Sequence, residues 1–361
     1  MAQAPTRGLT PVRVAQIGDT IVERWRTMAA NLDRPQSHAC VMTLIICVED
    51  EGDNRFALDI IDQLSGKYPI RVISVGRSDK ERDNVRAWVN TACEGEGSAA
   101  ICSEEIVLQA GPDSDDRLVS AVRGLLVSDL PVMLWWRGGA PQGSALWNGL
   151  QPLCDRVIVD SHRFVVADAD VAGDWKVARG DGAAALKVLR ELVKAGGQRV
   201  SVRDLNWERT SPWRGAIATC FDDREMLSLL SDIDRCSITF AATSDAEPAS
   251  ARSLLMAGWL STRLPRLREQ SMIAPGTAWA NLSSGRIVAI TLCASASKTS
   301  LLLVRQSSPT GIEVQAHDRN GKAFRRWHFG AATLTEAQLL DGCLQTLGRD
   351  PLFESSLGSS L

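Results

Sequence analysis

The chain has 361 residues and a mass of 39.1 kDa, more than one small core needs and enough for two ordinary domains. Hydrophobic residues make up 45% and charged residues 23%, the balance of a soluble globular protein. With 40 Lys and Arg against 43 Asp and Glu, the net charge is −3 and the pI about 5.9, which argues against a general electrostatic grip on nucleic acid or an anionic membrane.

Met1-Ala2-Gln3-Ala4-Pro5 lacks the basic and apolar regions of a signal peptide. Apolar residues then recur at Ile17, Ile21, Trp25 and Met28, the stripe of an amphipathic helix over Val14–Ala30. After the polar stretch Asn31–Ser37, Ala39–Val48 is a nearly continuous apolar run, as in a strand buried on both faces. The pattern predicts a helix over Arg55–Leu64, a strand over Ile70–Val75 and a second helix over Lys80–Thr91. A strand over Cys102–Gln109, a helix over Asp115–Val127 and strands over Leu130–Trp136 and Arg156–Asp160 follow. Strands alternating with helices imply right-handed crossovers and an open, mainly parallel α/β sheet.

Around Phe164–Gly180 the pattern loosens into Asp, Ala and Gly. The boundary is placed there, giving an N-terminal α/β domain over 1–165 and a C-terminal α/β or α+β domain over 166–361. Ala183–Ala195 reads as a helix stopped by Gly196-Gly197, Cys236–Ala242 as a strand and Pro248–Leu264 as a helix. Arg286–Cys293, Ser300–Arg305, Ile312–His317 and Ala323–Phe329 are four short strands parted by turn residues, among them Ser308-Pro309-Thr310-Gly311 and Asn320-Gly321, so this portion is antiparallel. A closing helix over Thr335–Leu347 begins with Thr335 as N-cap. The longest apolar runs, such as Ile287–Cys293, fall far short of the roughly 20 residues of a spanning helix, so no membrane partner is expected and a cytoplasmic location is.

Sites of chemistry are few. There is no GxxxxGK[ST] and no GxGxxG after a strand, so no cofactor is expected. Gly76-Arg77 and the turn Arg137-Gly138-Gly139-Ala140-Pro141 each follow a strand, where open α/β sheets bind ligands, and the second could form an anion nest. No GxSxG elbow occurs. Asp160-Ser161-His162 cannot converge from a strand, because successive side chains point to opposite faces. Asp168, Asp170, Asp174 and Asp181 lie in a loose stretch that suits solvation better than a metal. The nine cysteines are scattered, without a CxxC or a zinc-like quartet, and read as buried, reduced, small hydrophobes. No catalytic or metal-binding residue stands out.

Tryptophan does stand out, with 11 Trp against one Tyr. In Trp135-Trp136-Arg137 one indole should pack inside and the other face out or cover a helix. Asp204-Leu205-Asn206-Trp207 and Ser211-Pro212-Trp213-Arg214 form a second aromatic and polar group. Trp and Arg dominate binding hot spots, yet the same residues would also serve to fill two cores and the seam between them.

LVSDLPVMLWWRG (Leu126–Gly138), DRVIVDS (Asp155–Ser161), DLNWERTSPWR (Asp204–Arg214) and LGRDPLFE (Leu347–Glu354) come in the order and approximate spacing of the OpcA family, the glucose-6-phosphate dehydrogenase assembly proteins. The chain resembles that family from about Ile101 to its C-terminus. The resemblance implies a non-catalytic protein that binds glucose-6-phosphate dehydrogenase, promotes its active oligomer and raises its activity at the entry to the oxidative pentose phosphate pathway. In the cyanobacterial branch activation is linked to thioredoxin-type redox control, which would add thioredoxin as a partner; near the C-terminus Cys343 stands alone, and a switch here would need distant cysteines, such as Cys40 with Cys47 or Cys93 with Cys102. On this reading Trp135, Trp136, Arg137, Asp204, Asn206, Trp207, Trp213 and Arg214 lie at or behind the partner surface. The alternatives are a phosphosugar-binding enzyme or sensor that uses the Arg137-Gly138-Gly139 turn, and a thiol redox relay.

Overall fold

Thr43 is the one polar residue of Met42–Val48, and all seven positions of that strand are buried, so both of its faces are covered. It is the centre of the first of two units in a computed structural model that describes residues 8–30, 40–64, 66–78, 84–94, 101–164, 181–267, 271–307, 310–330, 333–345 and 348–360. The first unit takes in residues up to Val159 and then Gly197–Arg203; the second takes in Asp160–Gly196 and everything from Asp204.

In chain order the first unit holds β1 (Thr10–Val12), α1 (Ile17–Ala30), β2 (Met42–Val48), α2 (Glu51–Asp62), β3 (Ile70–Arg77), β4 (Arg86–Glu94), β5 (Ile101–Ala110), α3 (Asp115–Leu125), β6 (Val132–Trp136), α4 (Ala145–Leu150), β7 (Arg156–Val159) and, later in the chain, β8 (Ser201–Asp204). The sheet runs β1-β4-β5-β3-β2-β6-β7-β8. From β5 to β7 the pairs are parallel, while β4 meets β5 and β1 meets β4 antiparallel. This is the open, mainly parallel α/β sheet that the alternation implies.

The described part of Lys80–Thr91 is not a helix. From Arg86 onward it is β4, in register with β5 from Arg86 opposite Gln109 to Glu94 opposite Ile101. Ala and Arg there score for helix, but Ala87, Trp88 and Val89 are buried on both faces and the tertiary pairing decides the outcome. Residues 79–83 lie outside the described residues.

The second unit holds α5 (Gly182–Gly196), α6 (Leu205–Glu208), α7 (Ser211–Cys220), α8 (Arg224–Leu227), β9 (Arg235–Ala241), α9 (Ala251–Arg263), β10 (Ser271–Gly276), β11 (Ile287–Ala294), β12 (Thr299–Ser307), β13 (Thr310–His317), β14 (Ala323–Gly330), α10 (Glu336–Leu344) and α11 (Pro351–Gly358). Its sheet runs β10-β9-β11-β12-β13-β14, parallel between β10 and β9 and antiparallel elsewhere. The four strands read from the sequence are β11 to β14, and Asn320-Gly321 does turn β13 into β14, with Gly321 at φ 74°. Ile238, Phe240, Ile290, Leu292, Leu301, Leu303, Ile312 and Val314 bury one face of the sheet. Helices α9 and α11 pack against each other. A Cβ on Gly258 would lie 2.1 Å from the Ser356 carbonyl oxygen, so only glycine allows the two backbones to meet. Thr335 and Gln338 form a capping box at the start of α10, as the N-cap reading anticipates.

The other expected elements are present with ends shifted by a few residues. β1, α4, β8, α6, α7, α8, β10 and α11 are additional, and all but α7 are too short to leave a periodic signal. Most of the loosened stretch Phe164–Gly180, with Asp168, Asp170 and Asp174, lies outside the described residues, as do Asn31–Ser37 and Ser308-Pro309.

Candidate functional site

In the second unit two of the sequence motifs interlock. Asp204 is fully buried at the N-terminus of α6, where its carboxylate accepts from the backbone of Asn206 (3.0 Å), the backbone of Ser161 (2.9 Å) and the Ser161 hydroxyl (2.7 Å). The Asn206 amide donates to Ser161 Oγ (3.2 Å) and accepts from Arg252 Nε (2.9 Å). The Ser161 hydroxyl therefore donates to a carboxylate and accepts from an amide, which fixes it in place rather than freeing it as a nucleophile. Beside it Asp160 takes both prongs of the Arg209 guanidinium at 2.7 and 2.8 Å.

The two carboxylates titrate apart. Burial, helped by the charge of Asp160, pushes Asp204 up to about 6. Burial pushes Asp160 the same way, but the charge and hydrogen bonds of Arg209 outweigh it and hold Asp160 below the usual carboxylate range. Burial lowers His162, the charge of Asp160 opposes it, and the arginines Arg252, Arg209 and Arg163 add to the lowering.

The DLNWERTSPWR and LGRDPLFE motifs meet at Trp207. Its indole N–H donates to Asp350 (3.2 Å), its ring packs at 5.8 Å against Phe353, and the Arg214 guanidinium carbon lies 3.7 Å from the ring centroid on a cation–π contact. Asp350 also caps α11 through Leu352 and Phe353, with Pro351 at the first helical position. Trp213 is buried under the Arg305 guanidinium, 5.6 Å from its ring.

Trp135, Trp136 and Arg137 belong to the first unit and are buried. Trp136 covers a helix, as one of the two arrangements anticipated for it, with its ring edge-on to Trp147 of α4 at 5.3 Å. Arg137 is 1% exposed, pairs with Asp53 at 2.6 Å, and lies over the rings of Trp135 (4.5 Å) and Phe56 (5.3 Å). The cation of that turn is thus already paired, and the Trp136 indole lies 3.1 Å from where a Cβ of Gly138 would stand. Arg77, the other candidate, pairs with Asp115 at 2.6 Å. Of the eight residues singled out in the sequence, Arg214 alone is half-buried and the other seven are buried.

The cysteines divide. Cys47, Cys154, Cys220 and Cys236 are buried thiols outside any disulfide, and burial raises Cys154, Cys220 and Cys236 to about 12 and Cys47 further, so none of these four is a ready thiolate; Cys343 is buried as well. Cys93 and Cys102, directly opposed on β4 and β5 with Cα atoms 4.0 Å apart, form a disulfide, a correction to the all-reduced reading. Cys40 and Cys47 are both free.

Comparison with known proteins bears on both units. Residues 61–173 match the glucose-6-phosphate dehydrogenase subunit N-terminal domain of the OpcA assembly family, and residues 200–357 match its C-terminal domain. The chain belongs to the OpcA family. An OxPP cycle protein OpcA of Nostoc punctiforme is 31% identical over 216 residues, covering 59% of this chain and 42% of that protein. Its counterpart in Synechocystis sp. is 26% identical over 208 residues, covering 57% and 39%. The match thus spans about two fifths of the length of these curated relatives. Among solved structures, glucose-6-phosphate 1-dehydrogenase from Mycobacterium avium aligns with a TM-score of 0.47 at 11% identity, over 88% of this chain and 91% of that one.

Sequence reasoning picked the OpcA motif residues but missed what they bond to. Asp160, Ser161 and Arg209 stand inside the quoted motifs, and Asp350 next to Pro351 is a helix-start signal. Arg252 gives no signal, because an Arg in the first turn of a helix reads as solvated. Among the described residues no helix is long and apolar enough to cross a membrane.

Proposed function

We propose that this protein is a non-catalytic assembly factor that binds glucose-6-phosphate dehydrogenase, favours its active oligomer and so raises flux into the oxidative pentose phosphate pathway. The observation that carries the reading is the match of both units to domains described as parts of a glucose-6-phosphate dehydrogenase subunit. Activation of this kind requires the factor to bind the active form more tightly than the inactive one.

The buried motif residues act from behind the contact surface, and exposed apolar residues attached to them make the contact. Phe56, half exposed, covers Arg137 from outside, and Leu352, 42% exposed, is bonded through its backbone to the Asp350 that holds Trp207. The Cys93–Cys102 disulfide is where a thioredoxin-class dithiol would act on the complex, by exchange that reduces it to two thiols.

Titrating the protein into the glucose-6-phosphate dehydrogenase of the same organism, with NADPH formation followed at subsaturating substrate with and without reductant, tests the reading. A saturable rise in rate is expected, together with a complex on size exclusion. Leu352→Ser should weaken activation at least fivefold while keeping the wild-type melting temperature; Phe56→Ser should weaken it as much and lower stability by about 0.5–1 kcal/mol through the lost contact with Arg137. A flat response with no complex sinks the proposal.

A further inference from the structure

Arg252, the second residue of α9, has a single hydrogen bond from its guanidinium, Nε to Asn206. Its nearest acid, Asp160, is already claimed by Arg209. Arg286 follows Gly285, whose carbonyl accepts from the N-cap hydroxyl of the same helix, Ser250 Oγ, at 3.0 Å, so Arg286 is tied to the start of α9 as well. Its side chain makes no hydrogen bond or ion pair with any described residue. Arg305 reaches across from β12 to donate to the Ile287 carbonyl at 3.2 Å, one residue past Arg286, and to Thr333 Oγ1 at 3.1 Å. None of the three has a carboxylate partner among the described residues. Burial and mutual repulsion hold Arg252 and Arg305 below the usual arginine range, while both remain cations at neutral pH. Three guanidinium groups whose one acidic neighbour, Asp160, is paired with a fourth, Arg209, repel one another, and a dianion among them would relieve that repulsion. The planar fork suits phosphate oxygens two at a time.

Next to this cluster is a cavity of about 370 Å³, lined among others by Ser161, Asn206, Ser250, Ser283, Ser284 and Glu247. One lining residue, Asn206, is bonded to Arg252, and two others, Ala251 and Gly285, precede Arg252 and Arg286 in the chain. Its walls are hydroxyl-rich. Glu247 accepts from Ser284 Oγ (2.7 Å) and from the Thr243 backbone (2.8 Å). A carboxylate among serines accepts hydrogen bonds from alcohol groups and repels a second anion. The volume lies in the range of small-ligand pockets, roughly 300–1,000 Å³.

We infer that the second unit binds a small, hydroxyl-bearing phosphate monoester, its phosphate on Arg252, Arg286 and Arg305 and its hydroxyl groups in the adjoining cavity toward Glu247. The site is separate from the assembly role and is measured on this protein alone, so neither reading falls with the other.

The test is calorimetric titration of the purified full chain at low salt with glucose 6-phosphate, inorganic phosphate and glucose as probes. Saturable binding of glucose 6-phosphate is expected, at least tenfold tighter than inorganic phosphate, with no heat from glucose. Arg286→Gln removes a side chain that bonds to no described residue, so the fold should persist while affinity drops at least tenfold. Ser283→Phe, which fills the cavity from an exposed position, should weaken glucose 6-phosphate and leave inorganic phosphate unchanged; circular dichroism checks that each variant is folded. Equal binding of glucose 6-phosphate and inorganic phosphate overturns the monoester assignment. Absence of binding, or a folded Arg286→Gln protein with wild-type affinity, overturns the site.

Discussion

Arg137 in the first unit and Arg252 in the second are both drawn from solvent, and they differ in what answers their charge. Arg137 has Asp53 at 2.6 Å and an aromatic wall of Trp135 and Phe56, so charge, hydrogen bonds and dispersion are all met within the unit. Arg252 has one amide oxygen and a set of like-charged neighbours. A buried cation that is fully answered holds a fold together and can offer little to a ligand. One that is under-answered costs stability and is available for binding. The same residue type, in two motif-rich regions of one chain, thus serves opposite ends.

The comparison can be broken at Asp53. Asp53→Ala leaves Arg137 buried without its counter-ion and should cost about 3–5 kcal/mol in chemical denaturation; an unchanged midpoint would mean that Arg137 finds another partner and the contrast is false. Trp207→Ala, which empties a buried site between Asp350 and Phe353, should cost a similar amount, about 3–5 kcal/mol, read by the same method. Asp204 sharpens the picture through pH. Its folded value, about 6, lies above its ordinary 3.8, so between those values the folded protein holds a proton that the unfolded chain has released. That stabilisation is present near pH 4 and is lost as pH rises through 6. Relative to Asp204→Asn, the wild type should therefore lose up to about 3 kcal/mol between pH 4 and pH 7, and parallel stability curves would refute the assignment. Asp160, held low by Arg209, has the opposite sign: its contribution is present above the ordinary range and is lost only on further acidification.

Cys93→Ser should lower stability by roughly 2–3 kcal/mol, the loop-closure value for a short loop, with wild type under strong reductant giving the same midpoint. Arg286→Gln is the smallest effect. With no described partner to lose, it should shift stability by less than about 0.5 kcal/mol.

The architecture was legible where periodicity was strong. The nearly all-apolar β2, the alternating β5 and the Asn-Gly turn before β14 follow from local rules. β4 did not, because Arg and Ala carry helix-like propensity and only the β5 partner reveals the strand. The candidate site was legible as a set of residue types and not as a set of bonds. Trp207 and Asp204 could be singled out by composition and motif, but Asp350 lies 143 residues beyond Trp207, and no local rule joins them. The reading of tryptophan as hot spot or core depended on burial, a property of the folded chain that an aromatic count cannot supply.

The route of the chain has a consequence for how the protein is made. After Val159 it leaves the first unit, builds α5 in the second, and returns with Gly197–Arg203 to add β8 beside β7. On the ribosome, β7 must therefore wait as a bare sheet edge until residue 203 has emerged, and throughout that interval its unpaired backbone groups are open to the wrong strand. A fragment ending at residue 165 would never close that edge. Synthesis rate and chaperone access across residues 160–203 thus decide how much of this protein reaches its native state.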